Sequence, residues 1–343
     1  MSSIPRTSTR MIASTPSSPA PASARAAGSF GGFALPLACA LAIGIAGPLL
    51  GNYASDFIVK VMILSIFALS LELLVGMTGL VSLGHAAFYG IGAYVTVLAS
   101  GSEGGNFALL LPAAMGAAGL YALFVGALSL RTRGVYFIMV TLAFAQMAFF
   151  VFHDTKVGGG SDGIYLYVRP ALGALDLENR TVLFYVVLAS LVFTYALLAL
   201  LRRSRFGAAL AGIRVNEQRM RAAGFPTYAY KLAAFVLAGA LAGLAGFLLA
   251  SRDGVVNPEL MAWHNSGEVL LMVILGGLGH LRGAVIGAIA FTLLKEIFST
   301  HALLGPLADH WQLTLGLTII VFVALLPKGL IGLVQRLSPR SGA

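Results

Sequence analysis

Residues 79–94 read GLVSLGHAAFYGIGAY, an apolar stretch dense in glycine and alanine that carries one histidine. Apolar runs of about 20 residues recur on both sides of it, the length needed to cross hydrocarbon. The 343 residues are 58% hydrophobic and 10% charged, with a mean hydropathy of +0.90. Soluble domains carry roughly 25% charged residues. This pattern specifies an all-α polytopic membrane protein of about ten transmembrane helices, or eight if one late pair turns back. The aqueous loops are too short to hold a second folded domain. The single cysteine, Cys39, lies in an apolar run, which excludes a disulfide framework.

Spans are expected near 33–51, 57–76, 79–99, 107–130, 134–152, 181–201, 231–250, 267–278, 283–298 and 311–327. Residues 1–32 are rich in Ser, Pro and Ala, with Arg6, Arg10 and Arg25 and no acid, and read as a disordered cytoplasmic tail. The run at 33–51 is long for a signal-peptide core and no clear cleavage site follows, so it reads as an uncleaved span. With the N-terminus inside, most of the 22 basic residues fall in cytoplasmic segments, as the positive-inside rule requires. Both ends are then cytoplasmic, with a transmembrane region at 33–330 and a C-terminal tail at 331–343. The net charge of +9 is explained by this bias and calls for no nucleic acid.

Within 79–94, Ser82, Ala86 and Gly90 fall four apart, as on one helix face. Small residues at that spacing let helix backbones approach closely. Gly239 with Gly243, and Gly283 with Gly287, repeat the pattern. The alternative is that a break at 79–84 opens backbone groups toward a central path. That makes Ser82, Gly84, His85 and Gly90 pathway or packing candidates. Gly276 and Gly277 join them, because the short runs at 267–278 and 283–298 are separated by GGLGHLRG and either cross twice or form a re-entrant pair. Gly79-Leu80-x-x-Leu83 resembles Gly277-Leu278-x-x-Leu281, a match too short to establish an internal repeat.

Glu72 lies twelve residues beyond Lys60, about 18 Å along a helix, so the two cannot pair. It is expected near the inner end of its span, within reach of the interface. GGGSDG at 158–163 has no GK[ST] after it, and no Walker A pattern occurs in the chain. It reads as a flexible turn or as a docking surface for a soluble partner. No HExxH or paired CxxC suggests a metal site, and no cofactor is expected.

The most informative polar stretch is RRSRFGAALAGIRVNEQRMRAAGFPTYAYK, residues 202–231. Residues 206–222 read as one helix, with Phe206, Leu210, Ile213 and Met220 roughly on one side and Gly224 and Pro226 ending it. A plain connector needs only about 2–8 residues. A longer, amphipathic one suggests a docking element for a cytoplasmic protein.

From this point the chain resembles the LivM-type permease subunits of ABC importers for branched-chain amino acids. The resemblance runs in order over roughly 55–335. It is carried by GLVSLGHAAFYGIGAY (79–94), RTRGVYFIMVTLAFAQM (131–147), GGGSDGI (158–164), RFGAALAGIRVNEQRMRAAGF (205–225), YKLAAFVLAGALAGLAG (230–246), EVLLMVILGGLGHLRGAVIGA (268–288) and LLPKGLIGL (325–333). It implies a multi-pass protein of the bacterial inner membrane, without enzymatic activity of its own, in contact with membrane lipid. It also implies a second permease subunit, two cytoplasmic ATPase subunits and a periplasmic substrate-binding protein. The family's coupling helix maps onto 205–224. Arg205, Phe206, Gly207, Ile213, Arg214, Asn216, Glu217 and Gly224 are the residues expected to form it. Ala208, Ala211 and Val215 depart from the charged residues frequent at those positions. Similar permeases also serve urea, short amides and aromatic or dicarboxylic acids. The rival class is an autonomous secondary transporter, for which the membrane centre looks poor in acids and the long basic loop has no role.

Overall fold

The computed structural model describes Gly44 and residues 51–101, 105–172, 175–300, 310–326 and 329–332. The expected tail at 1–32, the first span apart from Gly44 and Gly51, and the tail from 333 onward lie outside the described residues. In hydrocarbon a backbone must satisfy its own hydrogen bonds, and the apolar runs do so as helices.

Helix α1 spans Asn52–Glu72 and continues as a π-helical turn, Leu73–Thr78. Then come α2 (His85–Ser100), α3 (Phe107–Ser129), α4 (Val135–Asp154) and α5 (Arg180–Arg203). Two short helices follow, α6 (Arg205–Val215) and α7 (Glu217–Ala222). Among the described residues there follow α8 (Thr227–Asp253), α9 (Trp263–Gly276), α10 (Leu281–Ser299) and α11 (Trp311–Leu325). Among the described residues five helices are long and apolar enough to span a membrane. The α9–α10 pair passes that test only jointly, and its axis turns by 116°. The expected spans 267–278 and 283–298 are thus two arms of a bent pair.

The arrangement is concentric. In the 52–78 span 83% of the most apolar window is buried, against 22% in α4 and 28% in α5. Helix α8 lies at the centre and packs most extensively on α3 and α2, with α1 against it as well. Its buried positions include many small residues, among them Ala234, Ala238, Gly239, Ala242 and Gly243. A Cβ on Gly246 would stand on the Tyr89 carbonyl oxygen and 2.9 Å from the Ala93 nitrogen. One on Gly92 would stand 2.6 Å from the Gly243 Cα. Backbone therefore meets backbone across α2 and α8, the geometry small residues allow between membrane helices.

The expected face of Ser82, Ala86 and Gly90 is corrected. Gly79 takes a left-handed conformation, φ 76°, at the end of the π-turn, and α2 begins only at His85. Ser82 is therefore off the helix. Gly90 faces the side chain of Met261, while Gly92 makes the backbone approach to α8.

The stretch 158–163, expected as a flexible turn, is tied down. It forms parts of two single 3-10 turns. The Tyr94 hydroxyl donates to the Gly158 carbonyl at 3.2 Å. Just after it, Ile164 and Tyr165 pair antiparallel with Val256 and Val255.

The close approach predicts a steep contrast between glycines. Gly246→Val is expected to destabilise the purified protein by about 1–3 kcal/mol, as overpacking does. Gly116→Val, at a position where a Cβ would have nothing within 4 Å, is expected to leave it unchanged. Thermal unfolding in detergent measures both.

Candidate functional site

The polar segment 202–231 folds as two helices with a break, which corrects the single helix expected over 206–222. Ser204 caps α6, its Oγ accepting from Gly207 N at 3.2 Å. Asn216 leaves the helical conformation, φ −157°, and its side chain accepts from Arg219 N at 2.9 Å to start α7. An N-cap asparagine competes with the interior of a helix for the same backbone groups. The asparagine is the local signal for this second start, and the single-helix reading of 206–222 passed over it.

Gly207, Ala209, Leu210 and Ile213 form the buried side of α6. Phe206 stacks on Tyr230, with ring centroids 5.5 Å apart. Arg205 lies on the exposed side. So do Ala208, Ala211 and Val215, and Val215 is 85% exposed. These last three stand at i, i+3 and i+7, so they form one stripe. Ala208, Ala211 and Val215 thus share one outward face.

Glu217 fixes the second helix. Its carboxylate accepts from Lys231 Nζ at 2.6 Å and from Arg221 Nη2 at 2.5 Å, and Thr227 Oγ1 lies 3.3 Å away. Burial opposes its ionisation, but the Lys231 and Arg221 contacts outweigh that and hold the carboxyl below the usual range. Gly224 ends the segment in the left-handed region, φ 86°.

Arg214 is the residue that leaves this surface and reaches inward. Its Nη1 donates to the carbonyl of Gly76 in the π-turn. Its Cγ lies 3.4 Å from where a Cβ on Gly79 would be, and its Nη1 lies 3.5 Å from the corresponding point on Gly279. One guanidinium arm thus runs between the two glycine joints whose sequences resemble each other. Both joints do the same work: each ends one helix and, after a few residues, releases the next.

Glu72 lies under the same contact and is 1% exposed, which corrects its expected reach to the interface. Its carboxylate occupies the space that a Cβ on Gly76 would need. Oε2 makes no hydrogen bond among the described residues.

The remaining candidates have structural settings. His85 is fully buried, stacked on Phe67 and edge-on to Phe88. The Ser70 hydroxyl donates to Phe67 O at 2.7 Å, so Ser70 Oγ accepts from His85 Nε2 at 2.8 Å. Ser82 Oγ accepts from Gly84 N, and Gly84 lies against the backbone of Thr141 in α4. Gly276 packs on the backbone of Gly283 and Gly287, and Gly277 ends α9 with φ 112°. Sequence reading passed over Ser266, whose buried hydroxyl accepts from Ala86 N at 2.8 Å and so serves the first turn of α2. It also passed over Gly76. Neither has a local signal, because each is defined by a residue distant in sequence.

A multi-span helical bundle with a bent helix pair, glycine joints and an ordered polar segment has the form of a transporter's membrane subunit. Residues 53–326 match the family described as branched-chain amino acid transport system / permease component. The chain belongs to that family. It is 30% identical over 328 residues to the high-affinity branched-chain amino acid permease protein LivM of Salmonella typhimurium, covering 88% of this chain and 76% of that one. It is 29% identical over 333 residues to LivM of Escherichia coli, covering 90% and 77%. The permease protein LivH of Salmonella typhimurium is 24% identical over 288 residues, covering 78% of this chain and 91% of its own. No solved structure matches.

A carboxyl held below its usual range stabilises the fold above its unfolded value of about 4.3, and that stabilisation is lost as pH falls through the folded value. After correction for intrinsic rates, hydrogen exchange at 217–224 is expected to be slow at neutral pH and to quicken below about pH 4. Glu217→Gln is expected to exchange quickly at both, which removes the pH dependence.

Proposed function

We propose that this chain is the permease subunit of an ATP-driven importer for branched-chain amino acids. It shares the translocation path with a second, similar permease subunit, as the separate likeness to LivM and LivH proteins suggests. The reading sets it in a bacterial inner membrane with both ends in the cytoplasm. That places 205–224 on the cytoplasmic side, where two ATPase subunits dock, and leaves the opposite side to a periplasmic binding protein.

The observation that carries the docking role is the exposed stripe of Ala208, Ala211 and Val215 on a helix that is otherwise firmly seated. Its far face is buried, Phe206 is stacked, and α7 is held by Glu217. A rigid, outward, weakly polar ridge suits transmission of a push from a partner. A solvated loop would have neither the anchors nor the exposed valine. The chain's own part in transport is therefore to form helices that move, with ATP hydrolysis left to the docked subunits.

Reconstitution with the second permease, the ATPases and the binding protein is expected to give ATP-dependent leucine uptake into proteoliposomes. Uptake of urea, an amide or a dicarboxylate in place of leucine would transfer the importer to another substrate. Uptake by the chain alone without ATP would replace the reading with an autonomous transporter. Val215→Arg is expected to lower co-purified ATPase about tenfold, or about 1.4 kcal/mol, while membrane insertion is unchanged. Undiminished co-purification would remove the stripe from the docking surface.

A further inference from the structure

The ends of the bent pair away from its elbow carry an ion pair that the docking role does not use. Lys295 of α10 donates to both carboxylate oxygens of Glu268 in α9, at 2.8 and 3.1 Å. The indole of Trp311, at the start of α11, faces the same ammonium, with Nζ 5.2 Å from the ring centroid. Glu296, the next residue of α10, accepts from the Tyr53 hydroxyl near the start of α1. Four helices thus meet at one polar cluster.

Its place in the bundle is set by α1. Tyr53 lies at one end of that helix, and the π-turn that receives Arg214 of α6 lies at the other. At 1.5 Å per residue, the 21 residues of α1 hold the two places about 32 Å apart. With 205–224 on the cytoplasmic side, the cluster stands at the opposite, outer end, where a substrate arrives.

The bent pair is jointly apolar enough to lie in a membrane, yet Glu268 is 31% and Lys295 34% exposed. Charges in membrane segments face water or protein rather than lipid, and they mark the routes of polar solutes. Taking away one partner would leave the other charge poorly solvated and unpaired. The pair is therefore selective for what can open it. Urea carries neither charge. A simple carboxylate engages Lys295 but leaves Glu268 without a partner. An α-amino acid bears both signs on one carbon, so it supplies a cation to Glu268 and an anion to Lys295 in a single exchange.

We propose that Glu268 and Lys295 form a binding subsite for the zwitterionic head of the transported amino acid at the outer mouth of the path. The α-ammonium takes the place of the lysine ammonium at Glu268, and the α-carboxylate accepts from Lys295. Trp311 borders the site with an apolar face. Two ionic contacts form as one breaks, so neither protein charge is left alone. The proposal deepens the reading of an amino-acid importer and rests on it for the class of substrate and the side of entry.

The test is weak binding of leucine to the assembled importer in nanodiscs, without its binding protein, followed by saturation-transfer NMR. Leucine is expected to give a signal about tenfold stronger than leucinol, which lacks the carboxylate, or 4-methylpentanoate, which lacks the ammonium. Lys295→Met and Glu268→Gln are each expected to lower the leucine signal at least about fivefold, while Lys295→Arg, which keeps the charge, stays within about twofold. No leucine signal, or equal signals from the three ligands, would overturn the subsite in the unaltered importer, whatever the variants do. An undiminished signal in both charge-removing variants would assign the binding to another place. ATP-dependent leucine uptake checks the importer reading separately. Uptake together with an unselective signal overturns the subsite alone, and failure of leucine uptake removes both.

Discussion

The arrangement depends on how closely α8 approaches its neighbours. In lipid, apolar side chains gain little by leaving the solvent, so helices hold together by packing and by weak polar contacts between backbones. Gly246, Gly92 and Gly243 bring α2 and α8 to backbone contact, and Ala118 of α3 closes on α8 from another side. A helix of 27 residues thereby becomes the axis on which α1, α2 and α3 are seated. Helices that lack such a surface, α4 and α5, stay at the margin with large apolar side chains such as Tyr136, Phe150 and Phe193 exposed.

A rigid axis gives its surroundings something to move against. The elements with broken backbones lie around it: the π-turn, the stretch before His85, and the elbow between α9 and α10. Their free backbone groups are satisfied by side chains from elsewhere. Ser266 serves the start of α2, and Arg214 serves the π-turn. Each of these bonds joins a local break to a distant element, so the breaks are coupled. The same principle holds α7, where Glu217 is shared between Arg221 of its own helix and Lys231 of the next.

Much of this was legible in the linear chain. The spans could be read from hydropathy, and the breaks at 79–84 and 277–280 from glycine. The exposed polar segment stood out by its charge. Three readings were altered by contact geometry. Residues 206–222 divide at Asn216, because its side chain caps a second helix. Gly92 replaces Gly90 as the close-approach residue, because Gly90 faces the Met261 side chain while Gly92 faces the backbone of Gly243 in α8. Glu72 proved buried, because linear position reports only distance along a helix and not what packs around it.

The sequence by itself determined where the helices run, where they must break and which family the chain belongs to. Hydropathy, helical period and glycine conformation are local properties that a short window carries in full. Only the tertiary structure decided which breaks face one another. Arg214 and Gly76 are 138 residues apart, and no periodicity in either neighbourhood points to the other. Their meeting follows from the packing of α6 against the π-turn and of the bent pair against α1. That packing is a balance of many small contacts over the whole bundle, and it brings the Arg214 guanidinium to a backbone carbonyl of the π-turn.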